Sequence, residues 1–169
     1  IKRYVYVSNY VRNVFGEADA PNATVYPGSD FSIFEADAPN QSAIDTIGMV
    51  YRLETDKLNA QAIIPFIKVV QKRPQTRVLI VGGGSLMEPF KEAVNAAGLT
   101  DNFEFTGYVA YSQLPNLYRR MKLFVAPVWK ESFGQVSPFA MNMHVPVVGY
   151  DIGAIGEIVD DTSLLAPYG

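Results

Sequence analysis

The sequence predicts an α/β fold built on a parallel sheet with helices on both faces. Three observations carry that expectation. From position 44 onward, short β-rich runs alternate with longer helical patterns. Two of those runs, Val78-Leu-Ile-Val81 and Leu123-Phe-Val-Ala126, are continuously apolar, as expected of strands covered on both faces. Glycines, cations and lone carboxylates follow the strands, where open α/β sheets bind ligands.

The predicted strands are Ile44–Tyr51, Arg77–Val81, Phe103–Thr106, Leu123–Ala126, Val145–Gly149 and Ser163–Ala166. Helical patterns fall between them near Leu58–Lys72, Leu86–Ala97, Gln113–Arg120, Gln135–Met143 and Ala154–Val159. Pro65 lies inside the first of these and predicts a kink there. Residues 1–43 differ in texture. A strand near Tyr4–Ser8 leads to a short helix ending at Phe15, and Ala23–Asp30 reads as a strand closing in a Pro-Gly turn. The hexapeptide Glu-Ala-Asp-Ala-Pro-Asn occurs at 17–22 and again at 35–40, both copies reading as exposed turns. Residues 1–43 therefore read as an inter-domain segment or the edge of a neighbouring domain, and 44–169 as the folded unit. The first residues already form a strand pattern without a Met, which predicts a piece of a longer chain.

Composition narrows the function. The 169 residues are 49% hydrophobic and 12% aromatic, enough for one packed core. With no cysteine there is no disulfide framework, thiolate metal site or cysteine nucleophile. A formal charge of −3 with scattered cations disfavours nucleic acid as a partner. No apolar run approaches the ~20 residues of a membrane span, and no zinc, calcium or P-loop spacing is present. One histidine and no G-x-S-x-G elbow leave little room for a hydrolytic triad.

The residues that follow the strands each admit a structural and a functional account. Gly82-Gly-Gly84 suggests a dinucleotide loop, but G-x-G-x-x-G would need glycine where Met87 stands, so a tight βα turn is the plainer account. Amides at the next helix start could still face an anion. Arg52 and Lys57 can bracket a diphosphate, Arg as a fork and Lys as a point charge, or be solvated loop charges. Glu131, in Trp129-Lys-Glu-Ser-Phe-Gly134, can accept from sugar hydroxyls or serve as a helix-start acid. His144 and Asp151 read as loop, cap or turn residues.

In order, these motifs resemble the retaining glycosyltransferases of GT-B fold, of the group 1 or family 4 type. Ile47-Gly-Met-Val-Tyr-Arg-Leu-Glu-Thr-Asp-Lys57 is similar to that family's G-R-L-x-x-x-K element. Val81-Gly-Gly-Gly84, Phe105-Thr-Gly-Tyr-Val109 and Leu117-Tyr118 follow in register. Glu131-Ser-Phe-Gly-Gln-Val-Ser-Pro-Phe-Ala-Met141 resembles E-x-F-G-x-x-x-x-E-A-M. Val147 to Ile158 resembles V-x-x-x-x-G-G-x-x-E-[IV], and Val7–Arg12 with Val25–Asp30 look like the stretch crossing between the two domains.

The resemblance implies a Rossmann-like, donor-binding C-terminal half of a two-domain enzyme. That enzyme would transfer sugar with retention from a nucleoside-diphosphate donor to a glycan or lipid-linked acceptor of the cell envelope. Arg52 and Lys57 would hold the diphosphate and Glu131 the sugar hydroxyls, these three being the catalytic set. Gly83, Tyr108, Val109, Phe133, Gly134, Gln135 and Phe139 would complete the donor site. Neither metal nor cofactor is implied, the nucleotide sugar being substrate. The acceptor would bind the absent N-terminal domain, so the piece alone would not transfer. A cytoplasmic place is implied, with peripheral contact at the inner membrane face. One departure stands out: the second glutamate of E-x-F-G-x-x-x-x-E-A-M is Phe139 here, which cannot accept from a ribose. It keeps a noncatalytic nucleotide-sugar-binding module in view, beside a nucleotide-sugar epimerase of the same architecture.

Overall fold

Residues 3–16, 20–36, 38–39 and 44–168 are described in the computed structural model. Of the two Glu-Ala-Asp-Ala-Pro-Asn copies, residues 17–19, 37 and 40 fall outside the described residues. Strands β1 (Tyr4–Tyr6) and β2 (Asn22–Thr24) pair in parallel, with α1 (Asn9–Phe15) between them in sequence. Ser8 starts the helix: it is buried, and its hydroxyl accepts from the Val11 amide at 3.1 Å. The expected Ala23–Asp30 strand is shorter, since after Val25 the backbone leaves the pairing for Pro27-Gly28.

The main sheet holds β3 (Thr46–Val50), β4 (Arg77–Val81), β5 (Phe103–Phe105), β6 (Leu123–Ala126), β7 (Val147–Tyr150) and β8 (Leu165–Ala166). Their order is β5-β4-β3-β6-β7-β8, with every neighbouring pair parallel. The connecting helices are α2 (Ile64–Lys72), α3 (Met87–Ala96), α4 (Leu114–Tyr118), α5 (Val136–Asn142) and α6 (Ile155–Val159). The strands after β3 step outward on one side, and those after β6 on the other. The strand order therefore reverses between β3 and β6, and a crevice opens beyond their carboxyl ends.

Several expectations shift for physical reasons. Pro65 does not kink a helix; it sits in the first turn of α2, where a missing N–H costs nothing. A 3-10 turn, Ala60–Ile63, precedes it, capped by the Asn59 side chain accepting from the Gln61 amide at 2.9 Å. β7 starts at Val147 rather than Val145, because Pro146 has no amide to pair; its carbonyl still accepts from Phe124. Ser163 belongs to a 3-10 turn before β8. Val78–Val81 of β4 are all buried, as predicted. β6 is not covered on both faces: Phe124 and Ala126 are buried, whereas Leu123 and Val125 are half-buried. Val125 faces a hollow shared with Pro65, Val148 and Leu165. Among the described residues no helix is long and apolar enough to cross a membrane.

Packing crosses the expected 43/44 boundary. Phe34 is fully buried and stacks on Phe139, with centroids 4.0 Å apart and planes 10° apart. Phe31 meets Phe139 edge-on at 5.6 Å, and Tyr111 and Tyr118 meet Phe34 edge-on. Arg119 donates to the Glu35 carbonyl and Asn142 to the Phe34 carbonyl. Glu157, on α6, ties α1 down: its carboxylate accepts from the amides of Asn9 and Tyr10 and from the Tyr26 hydroxyl.

Burial pushes the Glu157 carboxyl up, but the Asn9 and Tyr10 amides and the Tyr26 hydroxyl outweigh it and hold the group below its ordinary 4.5. A carboxyl depressed by folding stabilises fully above its unfolded value and loses that contribution as the pH falls through the folded one. Glu157→Gln is therefore expected to cost about 1–2 kcal/mol at neutral pH and progressively less as the pH falls below the ordinary carboxyl value. Thermal unfolding of both proteins across that range checks it; an equal deficit at both ends would refute the assignment.

Candidate functional site

The loops after β3, β6 and β7 meet at the crevice. Lys57 Nζ lies 2.8 Å from Glu131 Oε1, which also accepts from the Ser132 amide at 3.1 Å. Backbone bonds fix the meeting, the Trp129 amide donating to the Lys57 carbonyl at 3.0 Å and the indole Nε1 to the Leu58 carbonyl at 3.2 Å. The loop after β7 adds a third anchor, the Ala154 amide donating to the Glu131 carbonyl at 3.0 Å.

Two glycines make room for the carboxylate. Gly134 has φ +76°, and a Cβ there would stand 2.5 Å from Glu131 Oε2. Gly153 has φ +57°, and its Cβ would fall 2.0 Å from the Glu131 carbonyl oxygen. Both positions need a left-handed backbone and an absent side chain. Glu131 is consequently 1% exposed, with Oε2 unpartnered. A carboxylate this buried with one oxygen unpaired is costly, and such groups mark places where a ligand completes the bonding.

Arg52 is placed differently. Its side chain is 68% exposed and pairs with Asp56 at 2.8 Å, one turn along the same loop. Exposed i,i+4 pairs contribute only about 0.3–0.5 kcal/mol, so Asp56 holds the guanidinium weakly. Lys57 and Arg52 thus flank the crevice, each carrying a carboxylate partner.

The Gly82–Ser85 turn is zipped onto the loop after β3. Leu53 donates to the Gly83 carbonyl and Leu86 to the Leu53 carbonyl. Glu54 accepts from the Ser85 amide at 3.1 Å and its hydroxyl at 2.5 Å. The Ser85 amide, one of those expected to face an anion, is thereby engaged by an internal carboxylate. Tyr108 is 73% exposed, and its ring lies over Gly83, whose Cβ would approach it to 2.6 Å. Val109 beside it is half-buried. Gly83 and Tyr108 thus bring the turn after β4 and the loop after β5 into contact.

Phe133 and Gln135 turn to the N-terminal segment. The Phe133 ring packs on Tyr26 at 5.4 Å, and Gln135 donates to the Gly28 carbonyl at 3.2 Å. Phe139, at the departed glutamate position, is 4% exposed beneath Phe31 and Phe34. His144 is exposed with φ +57° and closes α5, a cap position; Asp151 is exposed in a bend after β7. A separate cleft, lined by Arg77, Asp101, Glu104 and Arg120, opens at the amino-terminal strand ends, away from the crevice.

Two residues with buried, unpartnered hydroxyls, Tyr51 and Ser137, lie outside the motif-based set. Tyr51 stands where G-R-L-x-x-x-K has its glycine, and it is buried beneath the crevice; that mismatch was the available signal. Ser137 carried none, its burial in α5 being a tertiary effect.

A family profile described as "Glycosyl transferases group 1" matches residues 44–169. The lipopolysaccharide core biosynthesis mannosyltransferase LpsB of Rhizobium meliloti is 30% identical over 155 residues, covering 83% of this chain and 44% of that protein. The 2-deoxystreptamine N-acetyl-D-glucosaminyltransferase of Streptomyces fradiae is 37% identical over 92 residues, covering 53% of this chain and 22% of its own length. The chain thus spans less than half the length of these relatives. Among solved structures, Anabaena Alr3699/HepE in complex with UDP-glucose superposes with a TM-score of 0.80 at 22% identity, over 98% of this chain and 50% of that one. The C-terminal domain of the group 1 glycosyl transferase LpcC from Francisella tularensis does so with a TM-score of 0.71 at 24% identity, covering 83% and 80%. These likenesses show the fold, a Rossmann-like sheet of the kind found in GT-B glycosyltransferases.

Proposed function

The chain belongs to the group 1 glycosyl transferases, and on that premise we propose that it binds a nucleoside-diphosphate sugar across the β3–β6 crevice. The observation that carries this is the meeting of Lys57 with the buried Glu131, whose Oε2 is free. A cation beside a carboxylate acceptor suits a ligand with phosphate at one end and hydroxyls at the other.

In this proposal Lys57 exchanges part of its contact with Glu131 for a phosphoryl oxygen, and Arg52 leaves Asp56 for the other phosphate. As the glycosidic bond to the diphosphate breaks, charge grows on the leaving oxygen, and the two cations offset it in place of a metal. Glu131 accepts from hydroxyls of the transferred sugar and fixes its orientation. Gly83, Tyr108 and Val109 flank the base, with Tyr108 offering a ring face. The Phe133–Gln135 turn brings backbone amides toward the phosphates. Residues 44–169 act as the donor-binding unit and 1–43 as the crossing segment. The acceptor, a glycan or lipid-linked sugar of envelope polysaccharide assembly, engages polypeptide beyond this chain, and transfer proceeds there with retention.

Calorimetric titration with UDP-, GDP- and ADP-glucose checks donor binding. One of the three is expected to bind at millimolar concentration or tighter, and its parent nucleoside at least tenfold more weakly, a difference of about 1.4 kcal/mol. Absence of binding by all three would overturn the proposal.

A further inference from the structure

Glu54 is a carboxylate in an unexpected place. It lies between Arg52 and Lys57 in the loop after β3, the two cations proposed to hold the donor diphosphate. Asp56, the other acid of that loop, is matched by Arg52 at 2.8 Å. Among the described residues no cation pairs with Glu54. Its partner is instead the turn after β4. Oε1 accepts from the Ser85 amide at 3.1 Å, and Oε2 from the Ser85 hydroxyl at 2.5 Å. Both carboxylate oxygens are thus engaged by one residue, 31 positions along the chain.

The turn is shaped to receive it. A Cβ at Gly84 would stand 2.7 Å from Glu54 Oε1 and 2.4 Å from the Leu53 carbonyl oxygen, so glycine is what lets the two segments come this close. Backbone bonds run alongside: the Leu53 amide donates to the Gly83 carbonyl at 2.9 Å, and the Leu53 carbonyl accepts from Leu86 at 2.8 Å. On its other side Glu54 closes the cation loop, its carbonyl accepting from the Leu58 amide at 3.2 Å. The Leu58 carbonyl in turn accepts from the Trp129 indole, and the Lys57 carbonyl from the Trp129 amide. One line of bonds therefore runs from Ser85 through Glu54 and Leu58 to the segment that carries Glu131.

We propose that Glu54 is a positioning residue: by gripping Ser85 it fixes the 52–57 loop on the turn after β4, and so holds Lys57 and Arg52 at the crevice. Its charge is met by the two Ser85 donors, and such charge-assisted bonds are stronger than neutral ones. Without the grip the two cations would sample many arrangements, and ordering them would weaken each binding event. The effect on donor binding rests on the donor-site reading; the grip itself does not.

The sign of the effect separates this role from that of an ordinary loop charge. A carboxylate that merely repels phosphate gives tighter anion binding when it is removed. In calorimetry on the 169-residue chain with UDP, GDP and ADP, Glu54→Ala should instead weaken whichever diphosphate binds about tenfold and leave its nucleoside unchanged. Glu54→Gln, whose amide can keep a bond to each Ser85 group, should recover most of that loss. Ser85→Ala should add nothing measurable to Glu54→Ala. Tighter or unchanged diphosphate binding by Glu54→Ala, or equal losses for diphosphate and nucleoside, would overturn the positioning role. Amide hydrogen exchange reads the grip without a ligand. Glu54→Ala should speed exchange at Leu53 and Leu58 about tenfold and leave the β4 amides unchanged. Equal rates at Leu53 and Leu58 in both proteins would overturn the grip. If Glu54→Ala does not fold, Ser85→Ala is read in the same two ways, with an expected loss of about threefold. If the unaltered chain binds none of the three diphosphates, the donor-site reading falls with its positioning consequence, and exchange still decides the grip.

Discussion

Replacing Phe34 by alanine is expected to destabilise the protein by about 3–5 kcal/mol, the usual loss for a fully buried phenylalanine. For a chain of this size each kcal/mol moves the Tm by roughly 2–4 °C, so a fall near 10 °C is expected in a thermal melt. Total stabilities of single domains are only about 5–15 kcal/mol, which makes this a large fraction. The effect is large because Phe34 covers Phe139 face to face and is itself enclosed by Tyr111 and Tyr118. Truncation leaves a cavity between two chain segments more than a hundred residues apart, and the Phe34 and Glu35 carbonyls remain tethered to Asn142 and Arg119, limiting collapse. Phe34→Leu should recover much of the loss. A surface substitution typically stays within about 0.5 kcal/mol, so an unchanged melt would show that residues 31–36 are a detached linker in solution.

Lys57→Ala is expected to weaken the selected nucleoside diphosphate about a hundredfold, ~3 kcal/mol, while the nucleoside alone is hardly affected. The same change should cost stability, because it strips Glu131 of its only cationic partner among the described residues. That cost should be about 2 kcal/mol, below the ~3–5 of a fully enclosed pair, since the Lys57 side chain is 38% exposed. Adding Glu131→Gln separates the two effects: stability should return in part, and diphosphate affinity should not. Equal weakening of nucleoside and diphosphate would remove Lys57 from the phosphate role.

How far these residues could be read from the sequence differs with the range of the interaction. Val78-Leu-Ile-Val81 announced a buried strand because periodicity is a local property. Pro146 and Pro65 set element boundaries through their own missing amides. The convergence of Arg52, Lys57 and Glu131 was legible only through motif order, and the structure qualifies it: Lys57 meets Glu131 directly, while Arg52 stands apart with Asp56. Phe34 was hidden because its surroundings are rich in Pro, Asp and Gly, the composition of an exposed turn, and its partners lie on α4 and α5. Nothing in the spacing of Tyr51 and Ser137 announces that both hydroxyls end up buried. Long-range side-chain pairing has no signature in a local window.

The backbone bonds that hold the β3 and β6 loops together have an optical consequence. Trp129 is the only tryptophan of the chain, and its amide and indole bridge to Lys57 and Leu58. Trp129 is 36% exposed, poised between protein and solvent. Intrinsic emission excited at the red edge of protein absorbance therefore comes from one indole, two residues from Glu131. Any ligand that draws Lys57 away from its carboxylate disturbs the surroundings of that fluorophore. The crevice thus reports its own occupancy, by a shift in colour or intensity, without a label.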